Sequence, residues 1–329
     1  MKEAEFYTQL ENGKVNCVLC PHMCLLNDGD VGVCSGRQNI NGKLYSLTYS
    51  QIISMALDPI EKKPLYHFYP GSQILSIGPN SCNLKCKFCQ NWRISQQRIQ
   101  TTYLSPRDLI REALDSRSFG IAYTYSEPFM WYEYIIDTCE FAKEHDLKTI
   151  LVTNGTINPK PLENILPHID AMNIDLKSMS EKFYKDYSEG FLKTVLNTIE
   201  TSYQKCHIEI TNLVIPTLND SDSDFQSLVD FIANISPLIP LHFSRYHPDY
   251  QLELPPTPLE RLERARQIAL DKMKFVYIGN IMDEKANSTF CPNCGSMVIQ
   301  RNGFYGFKIL AKNGHCPDCG INLNIQGLD

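Results

Sequence analysis

Seven short apolar segments follow one another between Gln73 and Asn280: "QILSIGP", "FGIAYTY", "KTILVTN", "IDAMNIDLK", "CHIEITNLVIP", "LIPLHFSRYH" and "KFVYIGN". Helical patterns fill the gaps between them, and this alternation limits the fold more than any other feature. The segments are rich in β-branched residues and almost continuously apolar, as strands buried on both faces of a parallel sheet must be. Repeated strand–helix units over such a length predict an α/β fold, a TIM-like (β/α) barrel that is either complete or partial. Barrels of this kind place their chemistry at the C-terminal ends of the strands.

The helices carry their own punctuation. Ser105 followed by Pro106 has the form of an N-cap with proline in the first turn. Thr257-Pro258-Leu259-Glu260 has the form of a capping box. Phe129, Tyr132, Ile136 and Cys139 follow helical spacing, which makes Cys139 a core residue, and Phe225, Leu228, Val229 and Ile232 mark another apolar face. The expected organisation is an N-terminal Cys-rich segment (1–70), a core barrel (71–285) and a C-terminal four-cysteine module (286–329). The proline-rich stretch "PDYQLELPPTP" is expected to be a connection or a lid over the site.

The chain has 13 cysteines, an unusual number for a reducing compartment, and 11 of them are clustered. Tight clusters of this kind indicate metal sites, not a disulfide framework. The middle cluster, Cys82, Cys86 and Cys89 in "SCNLKCKFCQNW", stops at three. Three thiolates can hold three irons of a 4Fe–4S cluster and leave the fourth iron open to a small molecule, as a catalytic metal requires. The alternative is a zinc site that borrows a fourth ligand such as His67.

"CNLKCKFC" resembles the signature of the radical S-adenosylmethionine (radical SAM) superfamily, with the aromatic Phe88 before the last cysteine. The resemblance implies a 4Fe–4S cluster on Cys82, Cys86 and Cys89. SAM would chelate the open iron, and reductive cleavage would yield a 5′-deoxyadenosyl radical that abstracts hydrogen from a substrate. It implies further that Phe88 lies near the adenine. "YTYSEP" stands where the family has Gly-Gly-Glu, with Thr124, Tyr125 and Ser126 replacing the small residues and Glu127 retained. Asn154 of "TNG", Asp175 of "DLK" and Asn219 of "VIPTLND" stand at further cofactor-binding positions. Asp175 and Lys177 match the Asp-x-Lys of glycyl-radical enzyme activases. They join Arg245 and His247 of "LHFSRYHPDY" as candidate catalytic residues. Structural alternatives remain for each: a first-turn acid for Glu127, a salt-bridged rim for Asp175 and Lys177, a turn residue for Asn219.

The flanking clusters read differently. "CPNCG" and "CPDCG" pair Cys291 and Cys294 with Cys316 and Cys319 in two near-identical knuckles, expected to close a structural zinc-ribbon or rubredoxin-like iron site. Cys17, Cys20, Cys24 and Cys34 in "CVLCPHMCLLNDGDVGVC" form a looser set, a candidate for an additional metal or cluster, with His22 a possible substitute ligand.

The whole layout is similar to the AmmeMemoRadiSam system radical SAM enzymes, relatives of pyruvate formate-lyase activating enzymes. That similarity implies Memo-like and Ammecr-like proteins as partners and an electron donor such as flavodoxin or ferredoxin. The expected function is hydrogen abstraction from an unidentified substrate. The alternatives are a glycyl-radical enzyme activase and a non-enzymatic metal scaffold. The net charge of −6 supplies no attraction for nucleic acid or an anionic membrane. The polar N-terminus and the lack of a long apolar run lead us to expect a cytoplasmic protein.

Overall fold

The computed structural model describes residues 1–328. Its centre is an eight-stranded sheet. Strand β1 (Ser54–Pro59) pairs antiparallel with β2 (Gln73–Gly78). Then β3 (Gly120–Tyr123), β4 (Lys148–Thr153), β5 (Ala171–Asp175), β6 (His207–Val214), β7 (Leu241–Arg245) and β8 (Val276–Gly279) follow in parallel, each beside its predecessor. Edges β1 and β8 do not pair among the described residues, so the barrel is of the partial kind.

Helices α1 (Pro106–Asp115), α2 (Tyr132–Glu144), α3 (Pro159–Ile165), α4 (Leu192–Tyr203), α5 (Asp222–Ile235) and α6 (Leu259–Leu270) supply the crossovers. Ser105 caps α1, its hydroxyl accepting the Asp108 N–H at 3.2 Å. Cys139 is buried in α2 as its spacing requires, and Phe225, Leu228, Val229 and Ile232 bury one face of α5.

The capping box expected at Thr257 does not form. The Thr257 hydroxyl donates to the Val214 carbonyl at 2.6 Å and accepts the Tyr246 N–H at 3.0 Å. It ties the ends of β6 and β7 instead, and α6 begins without a side-chain cap. The box forms at α5, between Ser221 and Asp224. There neither side chain bonds to a remote element.

The barrel interior is closed at the N-terminal ends of the strands by the segment between β1 and β2. Ile60, Leu65 and Phe68 from that segment pack against Ile74, Ala122, Ile150 and Ala171 from β2, β3, β4 and β5. Burial of those seven side chains stabilises the closed floor, at about 25 cal/mol per Å² of apolar surface removed from water. Pro59 marks the end of β1, and the plug lies inside the stretch that the sequence assigns to the N-terminal segment.

Both flanking modules are fastened by buried arginines. The N-terminal module has two small antiparallel sheets. Arg37 there pairs with Glu133 of α2, and both side chains are almost fully buried. The Glu5 carbonyl accepts from Arg37 at 2.7 Å, and the Glu5 N–H donates to Glu133 at 2.8 Å. In the C-terminal module, Arg301 of strand Met297–Asn302 donates to the Tyr66 carbonyl at 2.7 Å and to the Thr289 hydroxyl at 2.8 Å. Its guanidinium also lies 3.4 Å from Glu61 and over the Tyr66 ring. Removing one member of such a buried pair is costly, because the other charge is left unpaired in a poor solvent. No helix among the described residues is long and apolar enough to cross a membrane.

Candidate active site

The parallel register brings the C-terminal strand ends level: Tyr123 lies beside Leu151, Thr153 beside Ile174, and Asp175 beside Thr211. Strand ends in step leave a shared mouth, and there a cavity of about 360 Å³ opens. Cys82, Cys86 and Cys89 line it together with Phe88, Glu127, Asn154, Asp175 and Lys177. These residues are far apart in sequence, and the fold brings all eight together.

The cysteines occupy the loop that leaves β2. Gly78 ends that strand against the next one, where an added Cβ would stand 2.7 Å from the Thr124 carbonyl. The loop is held by remote backbone. Lys85 and Lys87 N–H groups donate to the Ser188 and Tyr187 carbonyls at 2.8 and 2.9 Å, and the Lys87 carbonyl accepts the Gln251 N–H at 2.9 Å. Trp92 stacks on Tyr250 with ring centroids 5.2 Å apart and donates to Asp249 at 3.2 Å. The stretch "PDYQLELPPTP" therefore packs down on the cysteine loop as a cover.

Donors surround the thiols. The Leu84 N–H reaches the Cys82 sulfur at 3.4 Å, the Asn154 amide reaches it at 3.8 Å, and the Ser95 hydroxyl lies 3.3 Å from the Cys89 sulfur. Burial pushes the Cys82 and Cys86 thiols up, so a metal must displace their protons on binding.

Glu127 sits at the end of a turn made possible by Tyr125, whose φ is +70°. The Glu127 carboxyl accepts the Thr153 hydroxyl at 2.7 Å, the Phe129 N–H at 3.0 Å and the Asn154 N–H at 2.8 Å. Burial pushes it up to about 7, against the pull of those three donors. It braces the ends of β3 and β4 as well as facing the cavity.

Asp175 and Lys177 form an ion pair of 2.7 Å. Burial alone would lower the Lys177 ammonium. Asp175 and the neighbouring Cys86 thiol outweigh it and hold the ammonium above its ordinary value. The Lys177 carbonyl is in turn gripped by the Asn219 amide at 2.6 Å. Asn219 also bonds the Leu213 carbonyl and the Ile215 N–H, and it stands behind the wall, not in it.

Arg245 and His247 are not brought to this cavity. Arg245 donates to the Thr257 carbonyl at 2.9 Å and lines a separate cavity of about 520 Å³ beside α6, while His247 is exposed. On β7 the alternation sends Ser244 to the mouth and His242 deeper inside, 2.6 Å from Glu209.

Lys62, Lys63 and Pro64 also line the cavity, and no motif announces them. They come from the plug, with Lys63 paired to Asp58 at 2.8 Å and its ammonium 4.8 Å from the Tyr125 ring centre. Burial pushes the Asp58 carboxyl up, but Lys63, Tyr125 and Lys62 together hold it well below the usual range. Only the run "EKKP" could have hinted at charge here.

The donor set fits a cluster with one open iron. No imidazole and no fourth thiol line the cavity among the described residues. Glu127 and Asp175 are already engaged. His67, the alternative fourth ligand, is held in the interior by the Tyr277 hydroxyl at 2.6 Å.

The C-terminal set is different in kind. Sulfurs of Cys291, Cys294, Cys316 and Cys319 all lie within 4.8 Å of one another, a spacing that could hold a metal ion. Knuckle bonds repeat: Gly295 N–H to the Cys291 carbonyl and Gly320 N–H to the Cys316 carbonyl, both at 2.9 Å. Gly295 and Gly320 take φ values of +77° and +71°, where a side chain would be strained.

A family model described as the radical SAM superfamily matches residues 76–232. An uncharacterized protein of Methanocaldococcus jannaschii is 41% identical over 335 residues, covering 99% of each chain. The pyruvate formate-lyase-activating enzyme of Clostridium pasteurianum is 25% identical over 214 residues, 58% of this chain and 85% of that one. Among solved structures, a domain of a pyruvate-formate lyase-activating enzyme from Bacteroides vulgatus is similar with a TM-score of 0.44 at 19% identity. The match covers 49% of this chain and 99% of that one.

Proposed function

The chain belongs to the radical SAM superfamily, and from that premise we propose that Cys82, Cys86 and Cys89 hold its 4Fe–4S cluster and that the cavity admits SAM and a substrate bearing an abstractable hydrogen. The observation that carries this is the set of three thiols on one cavity with no imidazole and no fourth thiol beside them among the described residues. Bound there, the cluster and SAM supply reductive cleavage of a carbon–sulfur bond and a 5′-deoxyadenosyl radical.

The chain's own residues prepare the place. Lys177 and Asp175 present one fixed cation and one anion to the polar end of an amino acid. Phe88, Leu84 and Leu213 offer apolar wall to a purine or ribose. Glu127 keeps Thr153 and Asn154 in position. The stretch from Asp249 to Gln251 braces the cysteine loop from outside.

The substrate is proposed to be handled with Memo-like and Ammecr-like partner proteins, a reading that rests on the similarity of motif layout. The second reading is activation of a glycyl-radical enzyme. It is supported by the Asp175–Lys177 pair and by relatives named as activating enzymes.

Anaerobic reconstitution with iron, sulfide, dithionite and SAM tests the chemistry. Formation of 5′-deoxyadenosine and methionine is expected, and their absence from fully reconstituted protein overturns the proposal. A glycyl radical EPR signal on a co-purified protein would select activation, whereas consumption of a metabolite would select the first reading.

A further inference from the structure

Cys17, Cys20, Cys24 and Cys34 take no part in the cavity, yet the fold sets them against it. Cys17 ends strand Val15–Cys17, and its N–H donates to the Cys24 carbonyl at 2.9 Å. The turn carrying Cys34 closes on the same spot, since a Cβ on Gly32 would lie 3.6 Å from the Cys24 sulfur. Three of the four thiols are buried, Cys24 is half-buried, and none is in a disulfide.

The surroundings suit an anionic centre. Gly36 N–H donates to the Cys34 sulfur at 3.4 Å. Arg37, three residues beyond Cys34, is buried, and its Nε–H has no acceptor among the described residues. His22 is directed elsewhere, its Nε2 donating to the Asn83 carbonyl at 2.7 Å.

Spacing separates the candidate metals. A zinc ion bound by four thiolates at about 2.3 Å holds its sulfurs about 3.8 Å apart. In the C-terminal set two sulfur pairs stand at 3.6 and 3.5 Å. No three sulfurs of the N-terminal set lie within 4.8 Å of one another. Several irons with bridging sulfides do not require four thiolates to stand so close together.

We propose that Cys17, Cys20, Cys24 and Cys34 hold a second iron–sulfur cluster, and that it passes electrons to the centre held by Cys82, Cys86 and Cys89. The second half rests on the proposed function. Two asparagines bridge the segments: the Asn83 carbonyl accepts from His22, two residues beyond Cys20, at 2.7 Å, the Asn83 side chain accepts from Asn154 at 3.0 Å, and the same Asn154 nitrogen lies 3.8 Å from the Cys82 sulfur. The Ser81 hydroxyl adds a bond to the Cys34 carbonyl at 2.8 Å. One electron arrives from a one-electron donor protein of the flavodoxin or ferredoxin class, reduces the N-terminal cluster, and moves on to the cavity cluster. The donor is oxidised by one electron for each electron delivered, and no bond or proton changes place.

The decisive sample is the full chain with Cys82→Ala, Cys86→Ala and Cys89→Ala combined, reconstituted anaerobically with iron and sulfide. It should retain iron and acid-labile sulfide in equal amounts, roughly two to four of each per chain, with absorbance that dithionite bleaches. Adding Cys20→Ser and Cys34→Ser should remove both. Zinc without sulfide, or no metal, overturns the cluster. For the relay, Cys20→Ser alone should slow SAM cleavage by about tenfold or more with a flavodoxin donor, yet by less than about threefold with dithionite. Equal losses with both donors overturn the relay. If the Cys20 variant does not fold, Cys24→Ser at the half-exposed position replaces it. A wild-type chain that never cleaves SAM defeats the proposed function, while the iron-and-sulfide result still stands or falls by itself.

Discussion

The barrel mouth and the C-terminal module both gather thiols, and they do so by opposite means. In the C-terminal module each pair of cysteines lies on a knuckle closed by its own backbone, with glycine at the one position that demands positive φ. The result is a local structure that any stretch of the same sequence would tend to form. At the mouth, the loop from Cys82 to Cys89 is shaped by Tyr187, Ser188, Gln251 and Asn154, none of which is near it in sequence. One site brings its sulfurs together and closes; the other holds three around a cavity and stays open. Ligand number and the origin of the supporting bonds, more than ligand type, separate a structural centre from a reactive one.

The contrast can be broken most directly at the mouth. Cys82→Ala, Cys86→Ala and Cys89→Ala should each lower SAM cleavage by about a thousandfold or more while the melting temperature shifts by only about 3 °C. A variant that keeps wild-type cleavage would remove that thiol from the ligand set. The mirror experiment is Cys319→Ser. It should cost roughly 4 kcal/mol in urea unfolding, since metal binding and folding of such a module are one event. SAM cleavage per folded molecule should stay within about twofold of wild type.

A pH titration sharpens the difference further. The Glu127 carboxyl rises from 4.5 to about 7 on burial, so the folded chain keeps a proton that the unfolded chain releases. Its favourable contribution is complete below pH 4.5 and is lost as pH rises to about 7, a change of roughly 3 kcal/mol. Urea melts across that window should show a decline in wild type that Glu127→Gln flattens and Cys319→Ser leaves in place. An unchanged slope in Glu127→Gln would mean that the carboxyl is ionised throughout. The smallest effect is expected at the cover. Trp92→Ala removes the stack on Tyr250, about 1 kcal/mol, and should hasten proteolysis between Asp249 and Glu253 with only a few-fold loss of cleavage.

Legibility followed the range of the interactions. The parallel strands could be read because burial on both faces leaves an apolar run. Strand β1 escaped because its first four residues, "SMAL", alternate between half-buried and exposed positions at a sheet edge. The Ser105 cap was readable from four consecutive residues. The Thr257 box had the same credentials and failed, since its hydroxyl is claimed by Val214 and Tyr246 at the ends of two neighbouring strands. Asp175, Lys177, Asn154 and Glu127 could be placed at strand ends and do face the cavity. Asn219, Arg245 and His247 carried equally suggestive motifs but point into the wall, the outer cavity or solvent. Period-two alternation tells which neighbours share a side, not which side is inward.

Sequence alone determined the number and spacing of the thiols, the α/β alternation and the two self-closing knuckles, because each of these is encoded within a few consecutive residues. Tertiary structure decided that Lys62 and Lys63 enter the cavity from a plug below it, that His22, Asn83 and Asn154 link the two cysteine-bearing segments, and that His67 is held away from both. Those outcomes depend on pairs separated by tens to hundreds of residues. Their geometry is set only once the sheet has curled and the floor has closed beneath it.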